Sequence, residues 1–214
     1  MIINKTRSIS ILKSSWFSLL EKLQLDRQLG KAIFNDLVDA YSDRTRQYHN
    51  LEHIQHLLNL LEEVKDLCEC FFGLQLTAWF HDYIYIPQAR DNEVQSALYA
   101  AEILNKLGLE PKITELVTQI IISTQNHQPL IQSVDNLIFL DLDLAILGAS
   151  PDKYNEYAQK IRKEYSHKCD RDYFRGRKQV LTEFLSRPKI YYTDYFYRKF
   201  EQQARRNIEA KLSI

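Results

Sequence analysis

Residues 48–58 read YHNLEHIQHLL and place three of the chain's six histidines, His49, His53 and His56, at spacings of four and three. Imidazoles and carboxylates gather again in FHD (80–82), RDNE (90–93), at His127, and in DLDL (141–144). Neutral imidazole nitrogens and carboxylate oxygens, brought from several rigid elements, are what a divalent first-row metal requires. The adjacent pair His81 and Asp82 lies in the apolar run LTAWFHDYIYI. A buried carboxylate there is costly unless a cation or donors satisfy it. Taken alone, the pair fits a hydrogen-bonded buried couple as well as two ligands. The series H…HD…D, spread over separate elements, is what points to a metal.

Those elements read as helices. Apolar residues recur every three or four positions in 15–23, 29–41 and 50–64, where Leu51, Ile54, Leu57, Leu58 and Leu61 make one stripe behind the N-cap residue Asn50. Segment 74–85 is more uniformly apolar; its composition allows a strand, but its length and neighbours favour a buried helix. Further helices are expected over 91–108, ending at Gly108, over 112–124 after Pro111, and over 136–148. Ser150 with Pro151 opens another, 171–185 forms the next, and Thr193 caps a last one running to about residue 212. The expected fold is all-α, a single domain over 1–214 with about ten helices, without repeats or linkers.

Composition narrows the partners. Lys+Arg and Asp+Glu balance at 28 each, so neither a nucleic acid nor an anionic membrane is an expected partner. Five glycines and five prolines disfavour a turn-rich β-sandwich. Cys68, Cys70 and Cys169 form no C-x-x-C pair, which reads as reduced thiols in a cytoplasmic protein. The segment MIINKTRSISILKSSW lacks the apolar run and small-residue cleavage site of a leader, and no run approaches the length of a membrane span.

Five stretches in order resemble the HD-domain superfamily, metal-dependent phosphohydrolases of all-helical fold, and within it a bacterial family of predicted HD phosphohydrolases. They are RQYHNLEH (46–53), AWFHDYIY (78–85), RDNEVQSA (90–97), DLDLAILG (141–148) and KIYYTDYF (189–196). The resemblance implies one divalent ion (Mn, Fe, Co, Ni, Mg or Zn) held by His53, His81, Asp82 and Asp143. Asp141 is the alternative fourth ligand, or else caps its helix or supports the site from behind. YHNLEH is also similar to the Y-H-N-x-x-H of cyclic-nucleotide phosphodiesterases, which makes His49 a general acid. The same resemblance makes Glu93 and Asp82 catalytic and puts Asn92 and His127 near the substrate. Arg46 reads as a phosphate grip or as a surface cation, and His56 as a core or supporting residue. The chain is much shorter than a cyclic-nucleotide phosphodiesterase domain and lacks its glutamine pocket. The substrate class implied is therefore a small phosphorylated metabolite or nucleotide. Two other readings stand beside this one: a di-iron oxygenase drawing extra ligands from His56 or His127, and a non-catalytic metal- or metabolite-binding module. The oligomeric state is left open, a homodimer being one candidate.

Overall fold

The computed structural model describes residues 2–213, with side chains from Ser8 to Ser213. Met1, where the segment read as lacking a leader begins, lies outside them. Ten α-helices run α1 (Ile2–Lys22), α2 (Arg27–Tyr41), α3 (Leu51–Glu63), α4 (Phe71–Phe80), α5 (Asn92–Lys106), α6 (Pro111–Ser123), α7 (Val134–Leu144), α8 (Pro151–Glu164), α9 (Asp170–Ser186) and α10 (Asp194–Leu212). The described residues contain no strand, and none of the helices is long and apolar enough to cross a membrane. Where the sequence reads as one domain, the contacts divide the chain into two compact units, 1–136 and 137–214, the division falling inside α7.

In the first unit α4 is the central element. Every residue from Gly73 to Phe80 is buried, as expected of a helix that is apolar on all sides. Trp79 meets Trp16 of α1 edge-on, with ring centroids 5.5 Å apart, and Phe34 of α2 at 6.0 Å. The indole nitrogen of Trp16 donates to the Gly30 carbonyl at 2.8 Å, which satisfies the polar atom of a fully buried ring. Helix α3 packs on α1 and α4, and α5 and α6 pair with each other and with α4. At the start of α4, the buried Asp135 carboxylate accepts from the amides of Glu69 and Cys70 at 2.8 Å each. A negative charge at a helix N-terminus is favourable.

Helix α4 ends at Phe80, five residues short of the end of the helix expected over 74–85. The backbone beyond it is claimed by side chains. Arg46 takes the carbonyls of Asp82 and Tyr83, Ser96 bonds both the amide and the carbonyl of Ile84, and Asn92 does the same at Ile86. Asn92 and Ser96 stand four apart on α5, hence on one face, and seize residues two apart along an extended loop.

In the second unit, α10 lies against the 3-10 turn Ala145–Gly148 that follows α7. Asn207 donates to the carbonyls of Leu147 and Ala149, and the Tyr191 hydroxyl to that of Leu144. Two buried carboxylates organise the segment that leads into α10. Glu201 accepts from the amides of Ile190 and Tyr191, and Asp141 from those of Tyr192 and Thr193. Arg205 Nε donates to Glu201 at 2.7 Å, balancing that charge.

Candidate metal centre

His53 enters the first unit's site from the first turn of α3. Asn50 begins that helix as expected: its side-chain oxygen accepts from the Glu52 amide at 2.9 Å, and its NH₂ group ties back to the Gln47 carbonyl. His81 caps the C-terminus of α4, and Asp82 follows it in the turn. His53 and His81 are 3% and 0% exposed, and the Asp82 side chain 17%.

The three side chains converge. His53 Nε2 lies 3.2 Å from His81 Nε2, and Asp82 Oδ2 lies 3.0 Å from His81 Nε2 and 3.7 Å from His53 Nε2. Donors bound at about 2.0–2.2 Å to one ion stand roughly 2.8–3.6 Å from each other at tetrahedral or octahedral angles. The three separations are close to the edges of such a polyhedron. His81 Nδ1 lies 3.1 Å from the Ala78 carbonyl. With its hydrogen directed there, Nε2 carries a lone pair, the state in which an imidazole ligates a cation. Two nitrogens and a carboxylate oxygen at these separations can hold a metal ion.

His49 sits just outside α3, half-buried, with its ring between two tyrosines. Tyr48 is 5.0 Å away and Tyr85 4.2 Å, centroid to centroid, and the ring of His53 is 5.9 Å away. Two imidazoles thus approach one place, one from the loop and one from the helix.

Arg46 and Asn92, two of the other expected residues, spend their side chains on backbone groups. Arg46 is not a surface cation: it is 8% exposed. Its guanidinium is committed to backbone carbonyls rather than held out toward a phosphate, donating to Asp82 at 2.6 Å, Tyr83 at 2.7 Å and His49 at 3.4 Å. Asn92, expected near the substrate, turns both ends of its amide on the backbone of Ile86. Glu93 is half-buried in the first turn of α5. His127 occupies the turn after α6 with left-handed backbone, φ 47°. His56 is a correction: it is exposed, not a core residue. Glu52, His56, Asn59 and Glu63 form the exposed stripe of α3 at spacings of four, three and four. That polar stripe is readable in the sequence and argues for the surface.

Of the two acids in DLDL, Asp141 is engaged inside the second unit. It accepts from the Tyr192 amide, the Thr193 amide and the Thr193 hydroxyl at 2.7 Å each. Burial pushes its carboxyl up to about 6, against the pull of these hydrogen bonds. Thr193 holds the N-cap position of α10 as expected, but its hydroxyl donates to Asp141 and makes no cap bond of its own. Asp143 is half-buried, one residue before the end of α7.

Tyr48, Tyr85 and Ser96 lie inside the stretches that carry the resemblance, which assigns them no role; their part depends on backbone and ring contacts. Compared with known families, with curated proteins and with solved structures, the chain matches none.

Proposed function

We propose that the chain is a metal-dependent phosphohydrolase of the HD-domain superfamily, acting on a small phosphorylated metabolite or nucleotide. The convergence of His53, His81 and Asp82 at 3.0–3.7 Å is the observation that supports this reading. Asp143 is the further carboxylate the resemblance nominates as a ligand. Two aspartates would offset the charge of a dication and leave its open positions to an anionic substrate. A divalent ion in such a site polarises a phosphoryl oxygen and lowers the pKa of a bound water toward neutrality.

The protein's own groups supply the proton transfers. His49, beside His53 but on the loop, delivers a proton to the leaving oxygen. Such assistance is worth about 10²–10⁴-fold in rate. Asp82 and Glu93 are the carboxylates that orient the attacking water and accept its proton. Tyr48 and Tyr85 hold the His49 ring from two sides.

The test is a metal analysis of the purified protein, followed by a phosphate-release screen over nucleotides and sugar phosphates with each divalent metal in turn. The expected result is one or more bound ions and a metal-dependent release of phosphate that His53→Ala abolishes. Bound metal without release from any phosphorylated compound would leave a binding module. A reaction that consumes O₂ would replace hydrolysis with oxygenase chemistry.

A further inference from the structure

We infer that Arg46 is the positioning residue of this centre: a single buried guanidinium sets the spacing between the loop that carries His49 and the turn that carries His81 and Asp82. The inference rests on reading His53, His81 and Asp82 as a metal centre. It gives Arg46, which the sequence reads as a phosphate grip or a surface cation, a task that its backbone contacts bring forward.

Arg46 lies in the loop between α2 and α3. One guanidinium nitrogen donates to both the Asp82 carbonyl and the His49 carbonyl, and the other terminal nitrogen to the Tyr83 carbonyl. His49 and Asp82 are far apart in sequence, and the same nitrogen holds the backbone of each. The planar group is itself held in place. It lies over the Tyr41 ring at 5.0 Å, and the Tyr41 hydroxyl donates to the Trp79 carbonyl in the last turn of α4. Its other aromatic neighbour, Tyr85 at 5.6 Å, packs against the His49 ring. Guanidinium, tyrosine and histidine therefore form one stack running from the end of α4 to the candidate acid.

A lysine would keep the charge and lose the fork, because an ammonium is a point donor on a flexible stem. This separates geometry from electrostatics. A fixed positive charge beside a dication site opposes the ion, so removing the charge would blur the result, whereas Arg46→Lys leaves it in place. Disturbing the groups that orient ligands typically costs 10–100-fold in metal affinity.

Mn²⁺ binding to the full chain is measured by calorimetry for wild type and Arg46→Lys, alongside thermal melts and side-chain ¹⁵N–¹H spectra of the histidines in the metal-free proteins. Arg46→Lys is expected to weaken Mn²⁺ binding about 10- to 100-fold, with a helical circular dichroism spectrum like the wild type's and displaced imidazole signals for His49 and His81. An unchanged Mn²⁺ affinity with only a lower melting temperature would overturn the inference and leave Arg46 a stabilising residue. If wild type itself binds no Mn²⁺, the metal reading fails separately. The metal-free spectra then decide for Arg46: displaced His49 and His81 signals support it and unchanged signals overturn it. Should Arg46→Lys not fold, Arg46→Gln, which retains a planar donor but not the charge, is read by the metal-free spectra alone: displaced His49 and His81 signals support the inference and unchanged signals overturn it.

Discussion

His49 and His53 are four residues apart, yet they stand in different backbone settings and carry different expectations. His49→Ala should keep the bound metal while kcat falls about 10²–10⁴-fold. His53→Ala should lose metal and activity together. Metal content and turnover on the two variants check both, and a metal-free His49→Ala would mean the roles are exchanged. The two acids of DLDL separate in the same way. Asp141→Asn sets an amide against three donors and should cost about 1–3 kcal/mol of stability in urea denaturation. Asp143→Asn should weaken Mn²⁺ binding, as calorimetry on the full chain would read it. His53, His81 and Asp82 were legible in the sequence because their types and order are those of a ligand set. The work of Arg46 and Asn92 was not. Both spend polar side chains on carbonyls and amides of residues distant in the chain or in an irregular loop, and backbone groups leave no mark in a sequence.

At the scale of elements, periodicity carried most of the reading. The amphipathic stripe of α3, the prolines opening α6 and α8, and the apolar run of α4 each gave a helix near its observed place. The end of α4 did not follow from periodicity, because it is decided by competition for the backbone from Arg46, Ser96 and Asn92. Two glycines give a sharper test of how these elements fit. A Cβ at Gly148 would lie 2.5 Å from Phe200 Cβ and 2.8 Å from the Phe200 carbonyl oxygen. The contact is with α10 backbone that cannot easily yield, so Gly148→Ala should destabilise by about 1–3 kcal/mol. Gly176, exposed within α9, has nothing within 4 Å of the same added atom. There, alanine should stabilise by about 0.5–1 kcal/mol through helix propensity. Thermal melts of the two variants should move in opposite directions.

For the molecule as a whole, scarce glycine and proline with helical periodicity anticipated an all-helical protein. The division into units at 136/137 has no counterpart in composition, since α7 runs through it without a break in pattern. Contacts define such a boundary, and a continuous helix hides it from the sequence. A ligand that binds only the folded chain stabilises it by mass action, by about 2.7 kcal/mol at a hundredfold excess over Kd. Mn²⁺ at that excess should raise the melting temperature by roughly 5–10 °C for a chain of this size. Chelation should reverse the rise, and His53→Ala should not show it. A shift equal in wild type and His53→Ala would place the ion elsewhere.

The two buried carboxylates before α10 have a consequence for exchange with solvent deuterium. Ile190, Tyr191, Tyr192 and Thr193 lie between α9 and α10, where amides ordinarily exchange within the fast fraction. Here each of the four donates to Glu201 or Asp141. Their exchange should wait on the opening of the α10 start rather than on local fraying, so peptides covering 189–193 should take up deuterium slowly. Glu201→Gln should speed Ile190 and Tyr191, and Asp141→Asn should speed Tyr192 and Thr193. Measured this way, an irregular segment would be as protected as the helix it leads into.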